Sequence, residues 1–180
     1  MNLRFMGTVT LIMAVSFGVP AIVAARGGAE ARNATVNVAT SDRFGPILVD
    51  SKGMTLYVYE KDGPGVTNCY GGCASAWPPL TVADEDSAKA GGRVKGRIDV
   101  IERTDGAYQV AYNGMPLYTF ARDKRPGDVT GQDVGPEGAK WYVVPPAATS
   151  VAKAEGLSER AAAQGGGGMA TSRSTSSSGY

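Results

Sequence analysis

The chain states one segment twice. Gly53-Met54-Thr55-Leu56-Tyr57-Val58-Tyr59-Glu60-Lys61-Asp62 returns as Gly114-Met115-Pro116-Leu117-Tyr118-Thr119-Phe120-Ala121-Arg122-Asp123. The shared skeleton is Gly-Met-x-Leu-Tyr-x-aromatic-x-basic-Asp. A Gly-rich loop follows each copy and ends at a tryptophan, Trp77 or Trp141. Internal self-similarity of this kind sets the architecture before any single residue is weighed.

Strand signals dominate between residues 36 and 146. Residues 46–50 form a short apolar run, Ser51-Lys52-Gly53 a turn, and Leu56-Tyr57-Val58-Tyr59 a β-branched and aromatic run, so the two runs read as a hairpin. Residues 98–103 open a second set. Asp105-Gly106 and Asn113-Gly114 are strong two-residue hairpin turns on either side of residues 108–112. Residues 141–144 make a last strand before Pro145. No window here keeps a helical period over ten residues. The expected fold is all-β, a single antiparallel, hairpin-rich domain of two tandem pseudo-repeats. Its organisation reads as 26–43, linker with a candidate first strand; 44–146, the β-domain, with repeats at 44–82 and 98–146; and 147–180, an Ala/Gly/Ser-rich tail, disordered or partly helical.

Side chains alternate faces along a strand. Leu56 and Val58 therefore face one way, and Tyr57 and Tyr59 the other. Leu117 and Thr119 stand likewise against Tyr118 and Phe120. Large aromatics of this kind read first as core. The sharper alternative is a ligand platform built from Tyr57, Tyr59, Tyr118 and Phe120 with Trp77 and Trp141. Asp62 and Asp123 close the two aromatic strands. At the head of a Gly-rich loop, Asp caps backbone N–H groups. The alternative is a hard-cation site helped by Asp128, although the dense ligand spacing of an EF-hand is missing.

Cys69 and Cys73 lie in the first loop only, as Cys69-Tyr70-Gly71-Gly72-Cys73. In an exported chain a close isolated pair reads first as a structural disulfide. So small a ring stabilises by roughly 2 kcal/mol at most. Two alternatives stay open: a redox-active pair, and capture of a soft metal such as Cu(I) by both thiolates with Met54 or Met115.

Composition removes several function classes. The chain has no histidine, so Ser-His-Asp and Cys-His catalysis, C-x-x-C-H haem attachment and imidazole zinc sites cannot be built. A hydrolase would need a carboxylate pair, and none stands out above the turn aspartates. Residues 1–25 have the three-part layout of a secretory signal peptide: a basic start at Arg4, an apolar run, and Val23-Ala24-Ala25 at the cleavage point. Without Arg4 the 18 basic residues become 17, against 17 acidic ones. That balance argues against nucleic acid as a partner. No catalytic residue, metal site or cofactor is expected.

Leu56-Tyr57-Val58-Tyr59-Glu60-Lys61-Asp62, then Cys69 and Cys73, then Trp77-Pro78-Pro79-Leu80, is similar to a bacterial family of secreted repeats of unknown function. The same family is described as predicted lipoproteins with a Tyr-x-(Phe/Trp/Tyr)-x-x-Asp motif. The second copy matches through residues 113–123, Pro126-Gly127-Asp128 and Trp141-Tyr142-Val143-Val144. The resemblance covers residues 44–146. It implies export and a tandem repeat, and no catalytic mechanism or ligand. Association of some members with envelope stress or redox settings adds weight to the thiol alternative. The chain departs from the pattern in having no cysteine near the cleavage point for lipid attachment, so no stable membrane anchor is expected after cleavage.

The expectation is therefore an exported, periplasmic or extracellular protein, soluble once cleaved. It would act as a non-enzymatic binding or interaction module of the cell envelope, with an envelope or extracellular ligand or protein as partner. The alternative is a thiol–disulfide or envelope-stress protein using Cys69 and Cys73.

Overall fold

The computed structural model describes residues 33–165. The signal segment 1–25 and residues 166–180 lie outside the described residues. Nine strands and two helices follow in order among the described residues: β1 Ala34–Ser41, β2 Gly45–Val49, β3 Tyr57–Tyr59, α1 Gly72–Ala76, β4 Thr81–Val82, β5 Ala88–Ala90, β6 Ile98–Glu102, β7 Tyr108–Tyr112, β8 Met115–Pro116, β9 Trp141–Val143 and α2 Val151–Gly165.

The strands form an all-β, mainly antiparallel domain. The β2–β1–β5 sheet has an antiparallel β1–β2 hairpin and a parallel β1–β5 pair, and β3 pairs with β9. In the third sheet β4, β7 and β6 lie in that order, with β8 on β7. The β1–β2 hairpin of the first half corresponds to the β6–β7 hairpin of the second. The turn from β7 to β8 is closed by Asn113 at φ 51° and Gly114 at φ 80°. Both central residues of a type I′ turn need positive φ, which is why Asn-Gly serves there. Asn113 is held further by its side chain, which accepts from the Arg97 N–H at 2.9 Å and donates to the Ala148 carbonyl at 2.8 Å.

The expected hairpin of residues 46–50 and 56–59 is present only beside its turn. Val49 bridges Thr55, and the Leu56 N–H donates to the Leu48 carbonyl. Beyond that point β2 takes β1 as its partner and β3 takes β9. Long-range pairing wins because it joins two apolar faces that the local hairpin would leave half open.

Those faces divide as the alternation requires. One cluster holds Leu56, Val58 and Leu117 with Val36, Leu48, Val110 and Tyr112. The other holds Tyr57, Tyr118 and Phe120 with Trp77, Trp141 and Ile47. The folded part extends past Pro146. Ala148 and Ala154 are buried in the first cluster, so the start of α2 is docked on the domain. The Ser150 hydroxyl accepts from the Lys153 N–H at 3.2 Å at the entrance to α2. Small residues at these positions let a helix approach a sheet closely, which an Ala-rich segment supplies.

Candidate functional site

The duplicated motif is built across the copies. Tyr57 and Tyr118 exchange both backbone hydrogen bonds, at 2.9 and 3.0 Å. A local two-fold relation passes between them, and it governs everything nearby. Beside Tyr57, Leu56, Leu48 and Val144 are joined by backbone bonds; beside Tyr118, Leu117, Val110 and Leu80 are joined in the same way. On its far edge, β3 of the first copy lies against β9, which carries Trp141 of the second. Residues 118–121 of the second copy lie against residues 76–79, beside Trp77 of the first: the N–H groups of Thr119 and Ala121 donate to the carbonyls of Pro78 and Ala76, each at 2.9 Å. Each aromatic strand is therefore completed by the other copy.

The polar groups follow the same exchange. The Tyr57 hydroxyl donates to Asp123 Oδ2 at 2.7 Å, and the Tyr118 hydroxyl donates to Asp62 Oδ2 at 2.6 Å. Each tyrosine is thus bound to the aspartate of the opposite repeat. The other oxygen of each carboxylate organises its own loop: Asp62 Oδ1 accepts from the Asn68 N–H at 2.7 Å, and Asp123 Oδ1 from the Thr130 N–H at 3.0 Å and the Thr130 hydroxyl. Both phenols are held well above the usual tyrosine range. For Tyr57 the causes are burial, then the hydrogen bond to Asp123; for Tyr118 they are burial, then the negative field of Asp62. They are neutral donors at any ordinary pH. Burial also lifts the Asp62 carboxyl to about 6, against the hydrogen bonds from Tyr118 and Asn68 and the field of Arg103.

The six candidate platform residues converge on one cluster. Tyr59, Trp141, Trp77 and Phe120 form a continuous stack, with successive ring centroids 4.3, 4.0 and 4.0 Å apart. The two tryptophans are nearly coplanar in orientation, at 4°. Tyr57 meets Trp77 edge-on at 5.4 Å, and Tyr118 meets Trp141 edge-on at 5.0 Å. Offset stacks and T-shaped pairs are the favoured aromatic geometries, each contributing about 0.5–1.5 kcal/mol beyond burial. Tyr57 and Tyr118 are 0% exposed; Trp77, Trp141 and Phe120 are also buried, and Tyr59 is half-buried at the end of the stack. The rings face one another, so what the cluster leaves open is the Tyr59 end.

Cys69 and Cys73 are joined as a disulfide, with Cα atoms 5.3 Å apart, a usual separation. The loop is also held from outside by Arg103, a residue that sequence reasoning did not single out. Its guanidinium is buried. It donates to Gln109 Oε1 at 2.7 Å, the Cys69 carbonyl at 3.0 Å, Thr67 Oγ1 at 3.3 Å and both oxygens of Asp105. It also lies over the Tyr70 ring, 4.4 Å from the centroid. Arginine's planar fork of donors suits such a site, where no lysine could satisfy every partner. Arg103 in turn holds the Asp105 carboxyl below its usual range. Thr67 passes the connection on, since its hydroxyl is bonded to that of Tyr118. The only signal in the sequence is that Arg103 directly precedes the turn that supplies Asp105.

Asp128 caps its own loop, accepting from the N–H groups of Lys124 at 2.8 Å and Arg125 at 3.0 Å. Asp62, Asp123 and Asp128 are not gathered at one point. Among the described residues no three His, Cys, Asp or Glu side chains cluster closely enough to hold a metal ion.

These features define a class: an all-β domain of two repeats, each completing the other around a two-fold motif, with one repeat carrying a disulfide loop. The family model described as a secreted repeat of unknown function matches the chain twice, at residues 38–81 and 99–145, together just over half of it. The chain belongs to this family of secreted repeats. Comparison with curated proteins and with solved structures gave no match. No described helix is long and apolar enough to cross a membrane.

Proposed function

We propose that this exported domain is a non-enzymatic binding or interaction module of the cell envelope, and that it makes contact through its loops. One observation carries this reading: the motif's polar groups are consumed in joining the repeats. Tyr57 with Asp123, and Tyr118 with Asp62, are bound to each other across the repeats, with both phenols and Asp123 buried and Asp62 half-buried. The parts left for contact are those in which the copies differ. These are the loop of Cys69 and Cys73, the loop of residues 124–140, and the half-buried Tyr59 at the end of the stack. Among the described residues, the exposed large apolar side chains, Val66 at 56% and Val134 at 37%, lie on these same two loops.

The test is a thermal-shift titration of the purified chain against envelope components: peptidoglycan fragments, lipids and glycans. A saturable shift that Tyr59→Ala abolishes, while the unliganded melting temperature moves by only a few degrees, supports the module. Chemical turnover of any component would overturn its non-enzymatic character.

A second reading, thiol–disulfide exchange, is favoured by the unequal burial of the pair. Cys69 is fully buried, whereas Cys73 is half-buried. The reduction potential decides. A value below about −300 mV marks an inert structural bond, and one near −200 mV an exchanging pair.

A further inference from the structure

A trough of about 640 Å³ runs between the β1–β2 hairpin and the start of the C-terminal segment. Its apolar lining is Val38, Pro46, Pro146 and Ala147, and Arg93 and Lys95 stand on one wall. Pro46, Pro146 and Ala147 are shared with a second recess of about 390 Å³, where Phe44, Pro145 and Leu157 continue the apolar floor and Arg160 marks the far end. The two recesses adjoin along these three residues, and the larger is an open channel of its own. No described residue lining it is acidic, although the chain as a whole carries nearly equal numbers of acidic and basic residues. The walls are fixed in advance. Proline rings have no rotamers to lose, the Pro146 carbonyl accepts from the Tyr112 hydroxyl at 2.6 Å, and the Arg93 guanidinium donates to the Val38 carbonyl. Preformed, mainly apolar recesses of roughly 300–1,000 Å³ with a few fixed polar groups are the usual form of a small-molecule site.

We infer that this channel binds a small anionic amphiphile, its acyl chain along the proline floor and its carboxylate or other anionic head between Arg93 and Lys95. The charge pattern selects that occupant. An apolar floor alone would accept any hydrocarbon, whereas a wall carrying only cations favours a negative head and opposes a positive one. The site deepens the binding-module reading by naming a ligand class, and its lining does not include Tyr59.

The experiment is calorimetric titration of the full chain with dodecanoate below its micellar concentration. Decanoate, acetate and dodecyltrimethylammonium are the comparisons. Dodecanoate should bind at one site, decanoate more weakly by roughly two- to four-fold per methylene removed, and acetate and the cationic amphiphile not measurably. Lys95→Glu, an exposed position, should weaken dodecanoate at least ten-fold with an unchanged melting curve, and Arg93→Gln should act in the same direction. Equal binding of the cationic amphiphile, or unchanged affinity in both variants, overturns the inference. So does no binding of dodecanoate at all, an outcome that leaves the loop surface to its own test at Tyr59.

Discussion

At the scale of single residues, the Tyr–Asp pairs decide how this protein responds to pH and to truncation. Removing the Tyr57 hydroxyl leaves Asp123, a buried carboxylate, without one donor. Hydrogen bonds to charged groups contribute about 1.5–3 kcal/mol. Tyr57→Phe is therefore expected to destabilise by that amount in urea denaturation. Combined with Asp123→Asn it should cost clearly less than the sum of the two single changes, because the partners touch. Asp62 gives a pH dependence whose sign is fixed. Its carboxyl titrates near 3.8 when free and near 6 when folded, so the folded state holds the proton more tightly. The associated stability is fully present below about pH 3.8 and is lost as pH rises through about 6. A shift of two units corresponds to roughly 2–3 kcal/mol at most. The stability of Asp62→Asn minus that of the parent chain should therefore grow between pH 4 and pH 6.5 by up to that amount. A difference flat across this window would show that Asp62 is not held protonated by burial.

At the scale of elements, the loops that return to Trp77 and Trp141 are tightened by close approach as much as by hydrogen bonding. Gly131 shows this. A Cβ there would stand 2.7 Å from a ring carbon of Trp77 and 2.9 Å from one of Tyr57. Replacing Gly by Ala at a permissive site stabilises by about 0.4–1 kcal/mol through the unfolded chain, whereas overpacking a core costs typically 1–3 kcal/mol. The second effect is larger here, because both rings are fixed on several sides by the stack and by the Tyr57–Asp123 bond. Gly131→Ala should lower the melting temperature by several degrees. Its effect should show in near-ultraviolet circular dichroism, which reports the packing of Trp77 and Trp141. The first loop has no such glycine against the stack; it relies on the disulfide and on the buried guanidinium of Arg103, which reaches the Cys69 carbonyl, Thr67 and Gln109.

At the scale of the whole molecule, neither repeat is a closed unit. Tyr57 and Tyr118 supply each other's strand pairing, β3 needs β9, and residues 118–121 need residues 76–79. Each isolated half would expose half of the ring stack and leave one aspartate without its tyrosine donor. Two chains cut between Val94 and Lys95, in the stretch joining β5 to β6, should each lack a cooperative thermal transition. Mixed, they should recover one transition and the near-ultraviolet signal of the stack. Independent melting of either half would show that a repeat can close on itself, contrary to the exchanged geometry.

The sequence by itself determined the local structure. Alternation placed Leu56 and Val58 against Tyr57 and Tyr59, Asn113-Gly114 set the turn between β7 and β8, and the close cysteine pair formed its ring. These features depend on neighbours a few residues apart, whose spacing is visible in the chain. Only the tertiary structure decided which copy partners which. Both repeats carry the same Tyr and the same Asp, so the sequence cannot tell a tyrosine bound to its own aspartate from one bound to its twin's. That choice is made by strand pairing more than fifty residues away and by the burial of two aromatic faces against each other. The buried place of Arg103 was set in the same way, by loop carbonyls and side chains that only the closed domain brings together. The duplication announces two copies, and the fold makes them one body.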